Sequence, residues 1–468
     1  MTYFFETYGC QMNNAESAAL DLVIRERGWQ VAADGESADL VLLNTCSVRV
    51  TAEQRVMGRL AWYGAMKKKR PFTLIVAGCM AQRLGDTLKD RVKAVDFVMG
   101  TAARSIFPLI LEAVEKGNPG GVVLSGEKPQ FAFSSSHLEP GRFRSFVPIM
   151  HGCNNFCSYC IVPYVRGREL SRSPASIIAE IRLLASRGVR EITLLGQNVN
   201  SYRWEGSRRG TDAEPSDRIA GGGFDDPPDI LPDALDFPGL LELIAREIQK
   251  TPIRWVRFLS ANPKDFSPRA IRVMAEHPEF CRHLHLCVQH GSNTILSAMN
   301  RRYTREQYLD LAIEIREALP GISLSTDILI GFPGETEQDL AETLDLMGQV
   351  RFLYAYMYHY NPREGTVAFD LPGRIPEGVK RSRLSRVIDL QKGITRELLH
   401  RRIGASERIL IEGISRKNAD ELVGRTERDE MTVVPGDPGL IGSFVTVTLS
   451  SLRGNTFRAK ELCVCPGD

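Results

Sequence analysis

Three cysteines of this 468-residue chain stand at the same station of a repeating pattern, and that pattern fixes the fold class of the first hundred residues. Residues 3–7, 39–44, 72–77 and 96–99 read as short strands, and residues 15–27 carry helical spacing through Ala19, Leu22, Val23 and Glu26. A continuous apolar run such as Leu40-Val41-Leu42-Leu43 belongs to a strand covered on both faces. The pattern is that of a doubly wound α/β domain with a parallel sheet. Cys10, Cys46 and Cys79 fall just after the first three of these strands. In such sheets the carboxyl ends of the strands form the ligand crevice, so thiols 36 and 33 residues apart can meet there. Helix N-termini that follow them favour thiolate and an anionic group. One buried cysteine alone is only a small hydrophobe. Three at one topological station point to a shared metal site, and three ligands leave one metal position open.

A second triplet is close in sequence. His151-Gly152-Cys153-Asn154-Asn155-Phe156-Cys157-Ser158-Tyr159-Cys160 contains C-x3-C-x2-C. Thiolates this close converge on one soft metal centre, an iron–sulfur cluster or zinc. Structural zinc usually takes four protein ligands, and the remaining cysteines, Cys281, Cys287, Cys463 and Cys465, supply no second C-x2-C. A 4Fe-4S cluster on three cysteines fits better. The chain around the triplet alternates strands (146–150, 191–195, 255–259, 283–288, 323–330, 352–360) with helices (174–186, 237–248, 267–276, 304–318, 335–347). Pro174 and Thr304 sit where helices start. Six β–α steps predict a partial barrel with its chemistry at the carboxyl ends of the strands, and Cys153 directly follows the first of them. The turn Gly331-Phe332-Pro333-Gly334 after the fifth strand lets backbone approach a ligand closely.

Composition agrees with reduced thiols. Ten cysteines in 468 residues is far below the density of a disulfide scaffold. Residues 1–6 lack a basic n-region, and no uncharged run reaches the ~18 residues of a membrane span. A cytoplasmic protein is expected, with no membrane partner. No heptad seam is present, so a monomer is expected. Lys plus Arg number 59 against 57 Asp plus Glu, and the net charge of +2 makes no bulk claim on nucleic acid.

C-x3-C-x2-C with an aromatic before the last cysteine is the signature of radical S-adenosylmethionine (SAM) enzymes. Preceded by a three-cysteine α/β domain, it resembles the radical SAM methylthiotransferases over nearly the whole chain. Tyr8-Gly9-Cys10-Gln11-Met12-Asn13 is similar to the members that act on N6-isopentenyladenosine in tRNA. The members that act on a ribosomal-protein aspartate or on N6-threonylcarbamoyladenosine usually differ at the two positions after the cysteine. The runs 44–49, 78–82, 160–172 and 195–202 agree with the same members. The sequence departs from the family at Cys287 and His290, where Pro and Ser are common, and at Asn262, where His is usual.

The resemblance implies two 4Fe-4S clusters. An auxiliary one sits on Cys10, Cys46 and Cys79, and the radical SAM cluster sits on Cys153, Cys157 and Cys160. It also implies two SAM molecules per turnover. One methylates sulfur held on the auxiliary cluster, and the other makes the radical that abstracts hydrogen from adenine ring carbon 2. Tyr159, Gln197, Gly331 and Gly334 are the expected SAM neighbours. An electron donor and a sulfur or iron–sulfur carrier are implied partners. Unstacked RNA bases lie against aromatic rings, so Tyr8, Tyr164 and Tyr202 are candidates for tRNA contact.

Residues 1–118 therefore form the auxiliary-cluster domain, 119–142 a linker, 143–402 the radical SAM domain and 403–468 a small antiparallel barrel that resembles the OB-like TRAM domain. Residues 203–236, rich in Gly, Pro and Asp, read as a partly disordered insertion. Residues 403–468 hold 8 Lys/Arg and 10 Asp/Glu, while 380–402 hold 8 against 2. The latter is a helix expected to pack through Leu384, Ile388, Ile394 and Leu398 and to offer Arg381, Arg383 and Arg386 to tRNA phosphates. His283, His285 and His290 with Cys287 can be read as a metal set, although a barrel interior accounts for them. Cys463 and Cys465 read as structural or adventitious. Outside enzymes, the rival reading is a metal-stabilised RNA-binding protein in which both triplets merely hold the fold.

Overall fold

All six positions of Leu40–Thr45 are buried, as a strand covered by helices on both faces requires. A computed structural model describes residues 1–47, 50–118, 120–124, 142–206 and 234–464. In its N-terminal domain the sheet order is Gln30–Val31, Thr2–Thr7, Leu40–Thr45, Thr73–Gly78, Phe97–Met99 and Val122–Val123, every pair parallel. The order reverses between Thr2–Thr7 and Leu40–Thr45, so the carboxyl ends of these two strands flank the topological switch point. Separate apolar layers cover the two faces, one around Leu20, Ile24 and Phe107, the other around Val56, Leu60 and Tyr63. The last strand, Val122–Val123, lies past residue 118, within the stretch read as linker. Residues 119 and 125–141 of that stretch lie outside the described residues.

The second unit is the expected open barrel. Its strands are Arg144–Pro148, Glu191–Leu195, Trp255–Phe258, His283–His285, Ser323–Ile330 and Tyr354–His359. Parallel ladders join the first three and the last three, and single bridges at Val256–Phe280 and Ala261–Leu286 connect the halves. Helix Pro174–Ser186 begins on its proline behind the Ser173 cap, and Arg305–Ala318 begins with a capping box of Thr304 and Gln307. Within the stretch read as an insertion, Arg203–Trp204 pairs antiparallel with Leu235–Asp236. Residues 207–233, on which the expectation of disorder falls, lie outside the described residues.

The C-terminal unit is a closed barrel of Ser406–Ile414, Glu421–Thr426, Met431–Pro435, Thr456–Val464 and Phe444–Arg453. The segment 426–430 closes the amino end of the central barrel. Arg257 donates to the carbonyls of Glu427 (2.7 Å) and Thr426 (3.0 Å), Arg144 pairs with Glu412 at 2.7 Å, and the Arg282 N–H reaches Glu427 at 2.8 Å. Several acidic groups of this barrel thus meet arginines at the starts of the central strands. Its net negative charge is partly an interface charge. Among the described residues no helix is long and apolar enough to cross a membrane.

Candidate metal centre

Glycine precedes two of the N-terminal cysteines for a steric reason. At Gly9 (φ +139°) a Cβ would lie 2.5 Å from Cys46 Cβ, and at Gly78 (φ +94°) it would lie 2.5 Å from the Thr45 carbonyl oxygen. The bare backbone lets the three strand ends close together. Cys46 and Cys79 are buried and Cys10 half-buried. The hydrogen bond with Cys46 lowers the Cys10 thiol to about 6, against the effect of burial and with help from Arg166. Burial pushes the Cys79 thiol up, and Arg166 opposes it. Cys10 Sγ also lies 3.3 Å from Asn13 Oδ1, and Asn13 is tied to Asn44 through bonds of 3.3 and 2.9 Å.

Behind this site lies a buried charge trio that sequence reasoning missed. Glu16, 1 % exposed, pairs with both Arg104 and Arg166. Burial would raise its carboxyl, but the two guanidinium groups hold it at about 2. Arg166 also reaches Asn13 Oδ1 at 3.4 Å. Arg166 belongs to the second unit, six residues past Cys160, so one side chain links the loops of both cysteine triplets. Cys79 packs against Ile161 and Val165 of that same segment. The helix Gln11–Arg25 places Met12 and Ala15 against Phe146, Leu195 and Leu259, inside the first half of the barrel.

The second triplet sits in one loop at the end of the first barrel strand. The Cys153 N–H bonds to Gly167 O (3.2 Å), the Cys160 N–H to Cys157 O (2.9 Å), and the Ser158 N–H and Oγ to Met299 O (3.0 Å) and Ala298 O (2.7 Å). Arg301 donates to Cys157 Sγ at 3.3 Å and to Cys287 O at 2.8 Å, another contact that spacing did not reveal. Burial pushes Cys153 up to about 11 and Cys160 up to about 12. Such thiols stay protonated unless a metal centre takes the charge.

The expected SAM neighbours gather around this loop in part. Phe332 of the 331–334 turn shares an apolar cluster with Tyr159, Tyr360 and Ala368. The Gly331 N–H donates to Glu335 Oε2 at 2.5 Å, and Gly334 N–H to Gly373 O at 2.9 Å. Lys380 covers Gly331, while Gly334 is exposed. Gln197 follows the second strand, and its buried Oε1 has no hydrogen-bond partner among the described residues, which fits a site built for a polar ligand.

Two groups of predicted contacts need correction. Tyr202 is 1 % exposed and its hydroxyl donates to Arg172 O at 2.7 Å, so it holds the fold and cannot stack on a base. Tyr8 is half-buried with its hydroxyl on Glu6, whereas Tyr164 is 50 % exposed. The helix Glu377–His400 packs through Lys380, Arg383, Val387, Gln391, Ile394, Thr395 and Leu399, a face rotated from the expected one. Arg383 is buried and clamps Glu335 (2.9 Å) and Glu337 (2.8 Å), so it is not a phosphate ligand. Arg386 pairs with Glu337 at 2.6 Å, and Arg381 remains exposed on the outer face. The histidine set also divides. His283 bonds Ser325 (2.9 Å) and His290 meets Glu335 (3.3 Å), while His285 and Cys287 group with Asp327.

Comparison with known proteins places this geometry. Residues 2–100 match Uncharacterized protein family UPF0004, residues 147–347 the Radical SAM superfamily and residues 400–461 the TRAM domain. The tRNA-2-methylthio-N(6)-dimethylallyladenosine synthase of Treponema denticola is 49 % identical over 98 % of this chain and 99 % of its own. The chain belongs to the tRNA-2-methylthio-N(6)-dimethylallyladenosine synthase family. A synthase of the same name from Moorella thermoacetica is 39 % identical over 98 % of this chain and 97 % of its own. Among solved structures, the radical SAM methyltransferase TsrM from Kitasatospora setae aligns with a TM-score of 0.54 at 16 % identity, covering 76 % of this chain and 72 % of that one. That likeness bears on the fold alone. Membership of the Radical SAM superfamily carries SAM and an iron–sulfur cluster, and the three thiols of the 153–160 loop are a donor set that fits one.

Proposed function

We propose that this chain is a tRNA methylthiotransferase that converts N6-isopentenyladenosine at position 37, beside the anticodon, to its 2-methylthio form with two SAM per turnover. The observation that carries the reading is the shared joint of the two cysteine triplets: Cys79 packs on the segment after Cys160, and Arg166 of that segment reaches Asn13 beside Cys10. Sulfur insertion at an unactivated ring C–H is beyond any acid or base side chain, so cofactors carry it and the protein supplies position. Cys153, Cys157 and Cys160 would hold one 4Fe-4S cluster and Cys10, Cys46 and Cys79 a second, which with SAM would supply the electron, the radical and the methylthio group. Arg301 orients Cys157, the Glu16–Arg104–Arg166 trio keeps the joint dry and fixed, and Tyr159 with the 331–334 turn and Gln197 lines the SAM side.

The metal-stabilised RNA-binding alternative needs a single ion on each triplet. Tetrahedral zinc, with Zn–S near ~2.3 Å, puts its sulfurs about 4 Å apart. Structural zinc usually takes four protein ligands, and each triplet offers three thiols. The enzyme is proposed to act in the cytoplasm as a monomer, served by an external electron donor and a sulfur or iron–sulfur carrier.

The test is anaerobic reconstitution, iron analysis, and incubation with isopentenylated tRNA, SAM and reductant, followed by mass spectrometry of the nucleosides. About eight irons per chain and a 2-methylthio nucleoside are expected. Product with ribosomal protein or with threonylcarbamoylated tRNA instead, or one or two zinc ions in place of iron, would overturn the proposal.

A further inference from the structure

The two halves of the central barrel are finished differently on their inner faces. On the first half, Phe146, Leu195 and Leu259 are covered by Met12 and Ala15, and Trp255 is covered by Phe444 of the C-terminal barrel at 4.8 Å between rings. On the second half, strand Tyr354–His359 keeps Tyr356 52 % exposed and Tyr358 41 % exposed. Their neighbours Ala355 and Met357 pack into the helix-side core, so alternation turns the tyrosines to the inner side. The His285 ring meets Tyr356 edge-on, centroids 5.7 Å apart. The parallel register sets Asp327 directly beside Tyr356. Asp327 accepts from Cys287 Sγ at 3.3 Å and lies 3.7 Å from His285, both contacts falling on Oδ2, and its side chain is 28 % exposed.

We propose that Tyr356 and Tyr358, with Asp327 beside them, form the wall against which the target base of the RNA lies. This rests on the reading of the chain as a tRNA-modifying enzyme and names the surface that receives the base. Two large rings exposed next to buried polar groups mark a binding surface rather than a core. Their Cα atoms stand on one strand face about 6.7 Å apart, the rise of two residues, and the rings present flat apolar surfaces that accept any base. The carboxylate selects the part of the nucleotide that faces the wall. It repels phosphate and can accept a hydrogen bond from the exocyclic N6–H, so the base and not the backbone turns inward. The same chemistry excludes Tyr202, which is 1 % exposed. A stacking ring must be exposed in the free protein, and Tyr356 and Tyr358 are.

The experiment measures binding of reconstituted full-length protein to two anticodon stem-loop RNAs, one carrying N6-isopentenyladenosine at the target position and one abasic there. Tyr356→Ala and Tyr358→Ala should each weaken binding of the first RNA about 10-fold. They should leave the abasic RNA bound as by wild type, and Tyr358→Phe should bind like wild type. Iron content and circular dichroism equal to wild type establish that the variants are folded. Equal losses on both RNAs, or none on either, would overturn the wall while the substrate reading stands. A wild-type protein that binds the two RNAs equally would overturn both.

Discussion

Each cysteine triplet presents three thiols, and the two do so in opposite ways. Cys153, Cys157 and Cys160 lie in one loop, and their nearness is covalent before it is structural. Cys10, Cys46 and Cys79 come from three strand ends and meet only because the sheet order reverses at the first two and glycines at 9 and 78 let the ends close. Their electrostatics differ as well. The buried loop keeps Cys153 and Cys160 strongly protonated, whereas the strand-end site is mixed: Cys46 and Arg166 lower Cys10 to about 6 while burial raises Cys79. A local site needs a loop and a metal. A distributed site needs a finished fold.

That contrast can be broken most severely at the loop. Cys157→Ser should abolish both reductive SAM cleavage and methylthio product and remove about half of the iron, read by 5′-deoxyadenosine assay and iron analysis. Cys46→Ser sharpens the distinction, because it should also remove about half of the iron and all methylthio product yet leave reductive SAM cleavage standing. Loss of SAM cleavage in that variant would mean that the two sites are not separable. Next in size is the trio that joins them. Glu16→Gln leaves Arg104 and Arg166 buried without their counter-charge and should cost about 3–5 kcal/mol in denaturant unfolding. The sign of its pH dependence is fixed by a folded pKa of about 2 below the ordinary 4.5. Wild type should hold this stabilisation above pH 4.5 and lose it as pH falls toward 2, and Glu16→Gln should lack that component. The smallest effect is expected at Tyr202→Phe, which removes one buried hydrogen bond to Arg172 O, costs about 1 kcal/mol and leaves RNA affinity unchanged.

Much of this was legible in the sequence where a local rule governs. Unbroken apolar strands, Pro174 at a helix start, Thr304 as a cap and the position of each cysteine after a strand need only neighbours along the chain. The misplaced residues are those whose partners lie far away. Tyr202 is buried because Arg172 offers a carbonyl thirty residues earlier. Arg383 turned inward because Glu335 and Glu337, nearly fifty residues off, pay for its burial, and that rotated the face of its helix. Asp327 and Tyr356 became neighbours through parallel register, which spacing along one strand cannot reveal. The Glu16–Arg104–Arg166 trio spans both units, with partners 88 and 150 residues from Glu16, beyond any local pattern.

The segment 426–430 that closes the floor of the central barrel has a mechanical consequence. Arg257, 4 % exposed, holds Glu191 on one side and two carbonyls of that segment on the other. Pulling the barrels apart would strip a buried cation of two of these three partners, so the joint behaves as a dowel rather than a hinge. The distance from the C-terminal barrel to the cysteine loops is therefore a fixed length. A long ligand that touches both is measured against that length, and the place where chemistry falls on it is chosen by a gauge rather than by a search.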